Sequence, residues 1–399
     1  MLGRKPAKLY LLFSGLDAAG SVTGQLGATA AITFGHSDRG ALFTGIFMSL
    51  FLLSAALAAP WTPRLSQRLR TPQAFALTQS LVVVGWISLG LTVALSAFNV
   101  AFMLVAAPML GGLSGIGKTL KPLVTGDYLG QGVAKAYARR SVVTGVFALV
   151  GALLAGVLIT WTIPAVAIVL NGLLTLPLAV FSWLRPARTE ISYAQAPARP
   201  LRSALLDVRR SRHLRQVVWF GVTTALFAAP VAVMVVPLMQ EFRLADVVSG
   251  AGAVVAAVGA GKMISPKIVA FLLRKGSDTQ ALRTCVLLSA GLLAIMGVTA
   301  ALLSGPIQLA AWVLLAVGLG ACLFTIRALN LGAASATLGE GRAAEGLAAY
   351  QMTVGLAAPL GTLIFGLLLS VSSTPQTMGW AALGMAVMAA TAAGAARAR

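Results

Sequence analysis

The chain has 399 residues, of which 58% are hydrophobic and only 10% are charged. A soluble domain of this length does not need so much apolar surface, so the composition excludes an ordinary globular protein and indicates a polytopic membrane protein. The 30 basic residues outnumber the 10 acidic ones and give a net charge of +20, but these charges lie between apolar segments, so no nucleic-acid partner is expected.

Apolar segments long enough to cross a bilayer follow one another along the whole chain, since a spanning helix needs about 20 mostly apolar residues. The first begins after Arg4, Lys5 and Lys8 like a secretory signal, but its apolar character continues to Phe34 and predicts a transmembrane helix. Twelve helices are predicted, near 9–34, 40–60, 73–96, 99–127, 139–161, 164–184, 216–240, 247–270, 283–304, 307–334, 345–371 and 376–395.

The basic residues predict the orientation, because Lys and Arg concentrate on the cytoplasmic side of each crossing. If both termini are cytoplasmic, Arg39 and Arg243 are the only basic residues in the external links. Tryptophans lie near helix ends, as interfacial residues do. The expected location is a cell membrane, the bacterial inner membrane, with the lipid bilayer as surroundings and both termini in the cytoplasm.

One long basic link, 185–215, divides the chain into two halves, 1–184 and 216–399. Its second part, Leu201 to Leu214, has the pattern of a basic amphipathic helix on anionic headgroups. A solvated connector that only enforces the topology explains the same charges equally well.

The two halves carry a repeated basic segment. After the second helix comes Pro63-Arg-Leu-Ser-Gln-Arg-Leu-Arg70, and after the eighth comes Pro266-Lys-Ile-Val-Ala-Phe-Leu-Leu-Arg274, an offset of 203 residues. The glycine-rich fourth and tenth helices align at an offset of 206 residues, which places Lys121 opposite Arg327. The similar offsets indicate a duplicated unit of six helices.

With these features the chain resembles the Major Facilitator Superfamily of secondary transporters over essentially its whole length. The resemblance also uses Asp127 with Arg139 and Arg140 after helix four. It implies an all-α fold of two pseudo-symmetric six-helix bundles around a central cavity, with alternating access by rocking of the halves. The gate residues that it implies are Arg64, Arg68, Lys267 and Arg274.

The chain departs from the family patterns at several places. Pro63 and Gln67 replace a glycine and an aspartate of the gate motif, and Gly151 to Gly156 lacks the proline of the antiporter motif. Neither a charge-relay gate nor drug/proton antiport is therefore established. Lys262, like Lys267, is assigned to the cytoplasmic end of helix eight as a topology charge.

Gly112 to Thr119 match the G-x-x-x-x-G-K-[ST] letters of a phosphate-binding loop. Here, however, they lie inside the predicted fourth helix, no soluble βαβ unit surrounds them, and the related Gly318 lacks the Gly-Lys pair. We interpret the glycines as close-packing positions of a membrane helix.

Helix one has a polar face, because five residues are three or four positions apart: Ser14, Asp17, Ser21, Gln25 and Thr29. A carboxyl group in a low dielectric favours its neutral form, so Asp17 is the candidate for proton coupling, with Ser21 and Gln25 as substrate contacts. Alternatively, Asp17 permanently neutralises a lysine of helix four.

Basic residues inside helices four and ten are the candidate anion ligands. Lys118 and Lys121 share a face, Arg327 is the repeat partner of Lys121, and Asn330 lies one turn further. Cations from both halves can grip one anionic group, and arginine suits bidentate contact with carboxylate or phosphate. The alternative is that these cations snorkel to the cytoplasm.

These observations predict a monomeric secondary active transporter of a small organic solute, proton-coupled and favouring an anion. The alternatives are multidrug or amphiphile efflux by proton antiport, and a nontransporting membrane sensor or scaffold. An enzyme is not expected, because two histidines and short external links leave few places for catalytic groups. No cofactor or metal site is expected either, since Cys285 and Cys322 lie in apolar runs as packing residues.

Overall fold

The computed structural model describes residues 4–35, 39–95, 100–130, 133–185, 211–242, 246–275, 277–337 and 343–397. Its first half contains six long helices. They are α1 (Arg4–Gly35), α2 (Gly40–Ala58), α3 (Thr71–Leu95), α4 (Val100–Leu129), α5 (Val133–Trp161) and α6 (Pro164–Leu184). A 3-10 turn, Ala59–Trp61, and a short helix, Thr62–Leu69, connect α2 to α3.

The second half repeats this arrangement. Its first helix, α7, consists of three consecutive segments, Arg212–Phe227, Ala229–Val233 and Val235–Met239. Pro230 and Pro237 account for the breaks, because each lacks the N–H that would bond to the carbonyl four residues earlier. The remaining helices are α8 (Val247–Lys275), α9 (Asp278–Leu302), α10 (Gly305–Thr337), α11 (Ala343–Val371) and α12 (Thr374–Arg397).

Ten helices, α2 to α11, are long and apolar enough to cross a membrane. The other two are of similar length, but the polar face of α1 and the many small residues of α12 make them less apolar. Large apolar side chains such as Leu95, Trp161 and Val371 are exposed on the outer surface, where a bilayer would cover them. The chain is therefore a multi-pass membrane protein, and ten of the twelve predicted membrane spans are identified among the described residues.

The bundles pack alike because small residues allow two related pairs of helices to approach closely. In the first half, a Cβ atom on Gly115 of α4 would lie 2.1 Å from the carbonyl oxygen of Ala55 in α2. In the second half, a Cβ atom on Gly320 of α10 would lie 2.3 Å from the carbonyl oxygen of Val258 in α8. This equivalence supports the predicted repeat and explains the glycines of α4 as packing positions.

The two halves meet along α2 with α11 and along α5 with α8. We call the end of the molecule where α6 ends and α7 begins the link end, and the opposite end the distal end. At mid-membrane, Ser49 of α2 donates to the carbonyl oxygen of Pro359 at 2.7 Å. At the distal end, Thr160 of α5 donates to the carboxylate of Asp246, immediately before α8. The distal half of the interface is thus closed by direct contacts.

Several sequence expectations change in detail. Residues 112–119 are helical throughout, so the P-loop letters form no phosphate loop. Helix α5 begins before the predicted position 139 and α8 continues past 270, because both extend further toward the link end. Most of the predicted amphipathic segment, Leu201 to Leu214, lies outside the described residues.

Candidate substrate cavity

A central cavity with two lobes lies between the halves. The polar lobe, of about 320 Å³, is lined by α1, α4, α5, α8 and α10 and contains the charged groups. The apolar lobe, of about 310 Å³, is lined by α2, α7, α10 and α11. Lys118, Phe324 and Arg327 line both lobes and mark their junction. Each lobe has the size of a small-molecule site, for which roughly 300–1,000 Å³ is usual.

A buried ion pair connects α1 to α4 at the wall of the polar lobe. The Nζ atom of Lys121 lies 2.6 Å from Oδ2 of Asp17, and only 4% of the Asp17 side chain is exposed. The hydroxyl of Thr175 in α6 donates to the other carboxylate oxygen at 3.4 Å. Ser21 and Gln25, one and two turns beyond Asp17, line the same lobe. The polar face of α1 therefore faces the cavity.

Five basic residues line the polar lobe, two from α4 and one each from α5, α8 and α10: Lys118, Lys121, Arg140, Lys262 and Arg327. Asp17 is the only acidic residue in this lining, and among the described residues its bond to Lys121 is the only ion pair. Two of the lysines lie over aromatic rings, with the Nζ of Lys118 5.6 Å from the Phe51 centroid and that of Lys262 5.0 Å from the Phe324 centroid. The lobe thus has an excess of positive charge.

Asn330 lies in the lining of the apolar lobe and is fully buried. Its amide Nδ2 donates to the hydroxyl of Tyr350 in α11 at 3.1 Å. Its Oδ1 atom has no hydrogen-bond partner in the described structure, which leaves one acceptor available next to Arg327.

A small apolar cluster joins the halves on the link side of the cavity. Leu123 of α4 packs with Leu331 of α10 and Tyr350 of α11, and Tyr137 of α5 packs against them. This barrier is formed by a few side chains, whereas the distal closure involves four long helices.

A family model agrees with this architecture: that of the Major Facilitator Superfamily matches residues 11–362. The chain belongs to the Major Facilitator Superfamily. No curated protein matches the sequence. The matched region includes every residue that lines the two lobes of the cavity.

Solved structures of superfamily transporters share the whole fold at low sequence identity. The nucleoside transporter NupG has a TM-score of 0.71 and 12% identity, with 98% of this chain and 99% of that chain covered. The POT family transporter PepTSo has a TM-score of 0.74 and 12% identity, with 99% of this chain and 98% of that chain covered. A variant of the E. coli fucose:proton symporter FucP has a TM-score of 0.58 and 15% identity, with 98% of each chain covered. At these identities the likeness concerns the fold.

The structure brings together the residues predicted for binding and coupling. Lys118, Lys121, Arg327, Ser21 and Gln25 all line the cavity with Asp17, and Asn330 lines the apolar lobe. The alternative for Lys118, Lys121 and Arg327 was that their side chains extend to the cytoplasmic surface, whereas the structure places all three in the cavity lining. The structural alternative for Asp17, pairing with a lysine of helix four, is present as the bond to Lys121.

The four residues predicted for the superfamily gate lie away from the cavity and are exposed: Arg64, Arg68, Lys267 and Arg274. Arg64 lies over the ring of Trp61, 5.6 Å from its centroid. The described residues contain no ion pair in this region, so the gate role of these residues stays a prediction.

Two basic residues of the cavity were missing from the predicted binding set. Lys262 was assigned to the end of helix eight, but α8 continues to Lys275, 13 residues further, which is about 20 Å along a helix. Arg140 was assigned to the start of helix five, but α5 already begins at Val133. The predicted helix ends placed both residues closer to the membrane surface than the structure does, and the costliness of charge inside a membrane helix makes both of them candidates.

Proposed function

We propose that this protein is a proton-coupled secondary active transporter of a small organic anion, which works by alternating access. The observation that carries the proposal is the charge balance of the polar lobe, where five basic residues face one carboxylate that is already paired. Clustered cations in a low dielectric repel one another, and an anion that binds among them relieves the repulsion. Arg327 of the second half and Lys118 of the first are on opposite sides of this anion site.

Proton coupling follows from the Asp17–Lys121 pair. While Asp17 is ionised, it neutralises Lys121 at 2.6 Å. When Asp17 takes up a proton, the charge of Lys121 becomes available to the substrate, so proton and anion favour each other's binding. Binding of both partners then stabilises the state that carries them together. This linkage predicts symport.

The orientation in the membrane follows from the charge distribution outside the helices. The long link between the two halves, 185–215, is strongly basic. Because basic residues concentrate on the cytoplasmic side, the link end is assigned to the cytoplasm. With this orientation, the contact of Ser49 in the middle of α2 and the contact of Asp246 at the distal end close the external side, and the Leu123 cluster is the cytoplasmic gate. Alternating access requires the two closures to break in turn.

Among the similar structures, one is described as a fucose:proton symporter. Others are described as a nucleoside transporter and a POT family transporter. Small solutes are thus carried by proteins of this fold. Amphiphile efflux is the second candidate, and the apolar lobe is the observation that favours it.

A thermal-shift screen of the purified protein against organic anions and hydrophobic cations tests the substrate class. We expect anions to raise the melting temperature and hydrophobic cations to leave it unchanged. Stabilisation by hydrophobic cations alone would reverse the ranking and favour efflux.

Flux into proteoliposomes with an imposed pH gradient then tests the mechanism with the stabilising anion. We expect Asp17→Asn to remove the pH dependence, and Lys118→Gln and Arg327→Gln to weaken anion binding about tenfold or more, as loss of a charge-assisted contact does. Arg64→Gln is the matched control, because Arg64 is an exposed cation outside the cavity. Unchanged pH dependence in Asp17→Asn refutes the coupling role, and absence of flux with every ligand indicates a nontransporting protein.

A further inference from the structure

We infer that the transported anion is amphiphilic, with an anionic head in the polar lobe and an apolar body of several carbon atoms in the apolar lobe. The inference rests on the proposed function, since it takes anion binding as given and adds the second part of the ligand. What carries it is the adjacency of two chemically different compartments, which share Lys118, Phe324 and Arg327 in their linings.

The apolar lobe is lined chiefly by small aliphatic positions. Those that matter for its shape come from α2, α7 and α11: Ala55, Ala56, Ala225, Ala229, Gly355 and Ala358. Small side chains on three facing helices leave the space open instead of filling it. A cavity of about 310 Å³ with such walls binds an apolar group well, because apolar surface leaves water when the group enters.

Two polar side chains of this lobe are bonded within the protein, whereas the acceptor Oδ1 of Asn330 stays available. The hydroxyl of Thr224 donates to the carbonyl oxygen of Phe220 at 2.8 Å, and Asn330 donates to Tyr350. A sugar or a nucleoside that extended into the lobe would leave most of its own donors and acceptors without partners, which is costly when they are buried. The lining therefore selects against a strongly polar body.

The junction of the lobes fixes how such a ligand lies. Lys118 and Arg327 line both compartments, and they come from opposite halves of the protein. An anionic head held between them would direct the rest of the molecule toward Ala229 and Ala358. The side of the head that faces Lys262 and Arg140 lies in the polar lobe, where further negative charge is also accommodated.

A chain-length series measures the contribution of the apolar lobe. Burying one methylene group strengthens binding about fourfold, so four additional methylene groups set an upper limit of about 250-fold. We expect octanoate to bind the protein in nanodiscs at least tenfold more tightly than butanoate, with titration of empty nanodiscs as the blank. Butyl and octyl phosphate provide the same comparison with a phosphate head.

Filling the lobe tests its position. In Ala358→Leu, three additional carbon atoms occupy the space, so the ratio of octanoate to butanoate affinity is expected to fall at least fivefold. Ala229→Leu enters the same lobe from α7 and replaces the first variant if that one does not fold. Ala390→Leu is the matched control, because Ala390 is exposed on the outer surface of α12; both affinities are expected to stay as in the wild type.

Three results overturn the inference. Equal affinity for the short and long anions would show that the apolar lobe takes no part, while the proposed anion transport would stand. An unchanged chain-length ratio in both lobe-filling variants would place the apolar body elsewhere. Failure of all four anions to bind would refute the proposed function itself, and this inference with it.

Discussion

Replacing Asp17 by asparagine removes the carboxylate that neutralises Lys121 while keeping the size of the side chain. In the wild type the two charged atoms are 2.6 Å apart, and the exposed fractions of the side chains are 4% for Asp17 and 17% for Lys121. Removing one partner of a buried ion pair costs about 3–5 kcal/mol, because the other charge stays buried without compensation. Because the Lys121 side chain is partly exposed to the cavity, we expect Asp17→Asn to lower the free energy of unfolding by about 3 kcal/mol, the low end of this range.

The double variant Asp17→Asn/Lys121→Gln separates this cost from the net contribution of the pair. With both charges removed, no uncompensated charge stays buried, and stability is expected to return to within about 1 kcal/mol of the wild type. The second substitution should thus recover about 2–3 kcal/mol of the stability that Asp17→Asn alone loses, as expected for residues in direct contact.

Melting temperatures in detergent, followed by intrinsic fluorescence, provide the measurement. At about 2 °C per kcal/mol, the single variant should melt about 6 °C below the wild type. Lys118→Gln is the matched control: Lys118 lies in the same cavity without a carboxylate partner among the described residues, so its loss should leave the melting temperature unchanged or raise it. A decrease of less than 2 °C in Asp17→Asn, or an equal decrease in Lys118→Gln, would refute the reasoning.

Three further predictions concern packing and closure. Gly115→Ala should sharply lower the yield of folded protein, because its Cβ would lie 2.1 Å from a backbone oxygen of α2, whereas Gly112→Ala, with its nearest atom at 3.8 Å, should be tolerated; equal yields of the two in size-exclusion chromatography would contradict this. Ser49→Ala removes the hydrogen bond to the carbonyl oxygen of Pro359 and the hydroxyl–hydroxyl contact with Thr362 of α11, so thiol labelling of a cysteine placed in the cavity should become faster from the distal side. Burial raises the pKa of the Asp246 carboxyl, but hydrogen bonds from neighbouring hydroxyl and amide groups outweigh it and hold the pKa below its ordinary value. A carboxylate with a lowered pKa stabilises the folded state above its unfolded pKa and loses this effect as pH falls through its folded pKa. Asp246→Asn should therefore lower the free energy of unfolding near neutral pH, and the difference from the wild type should shrink below about pH 4. A difference that grows on acidification would contradict the assignment.

The boundaries of the helices were predicted best where a change in local chemistry marks them. The sixth helix was predicted at 164–184 and is observed as Pro164–Leu184, because proline occupies its first position and the charged Arg185 follows its mostly apolar sequence. Where alanine and basic residues alternate, as before position 139, polarity changes gradually and the helix starts earlier than predicted. Helix α8 likewise ends at Lys275, five residues beyond its predicted end, so Lys262 lies further from the membrane surface than its assignment as a topology charge assumed.

The sequence by itself determined the membrane class, the twelve helices, the duplication and the polar face of α1, because hydrophobic length and periodicity are local properties of the chain. It also identified Asp17, Lys118, Lys121 and Arg327 as costly charges within helices. Only the tertiary structure decided that Asp17 pairs with Lys121, 104 positions away, and that the basic residues of both halves line one cavity. Contacts of this kind depend on the rotation and packing of helices that are distant in the chain, which the local pattern of residues leaves open. The apolar lobe has the same origin: small residues of three separate helices leave one space where those helices face one another.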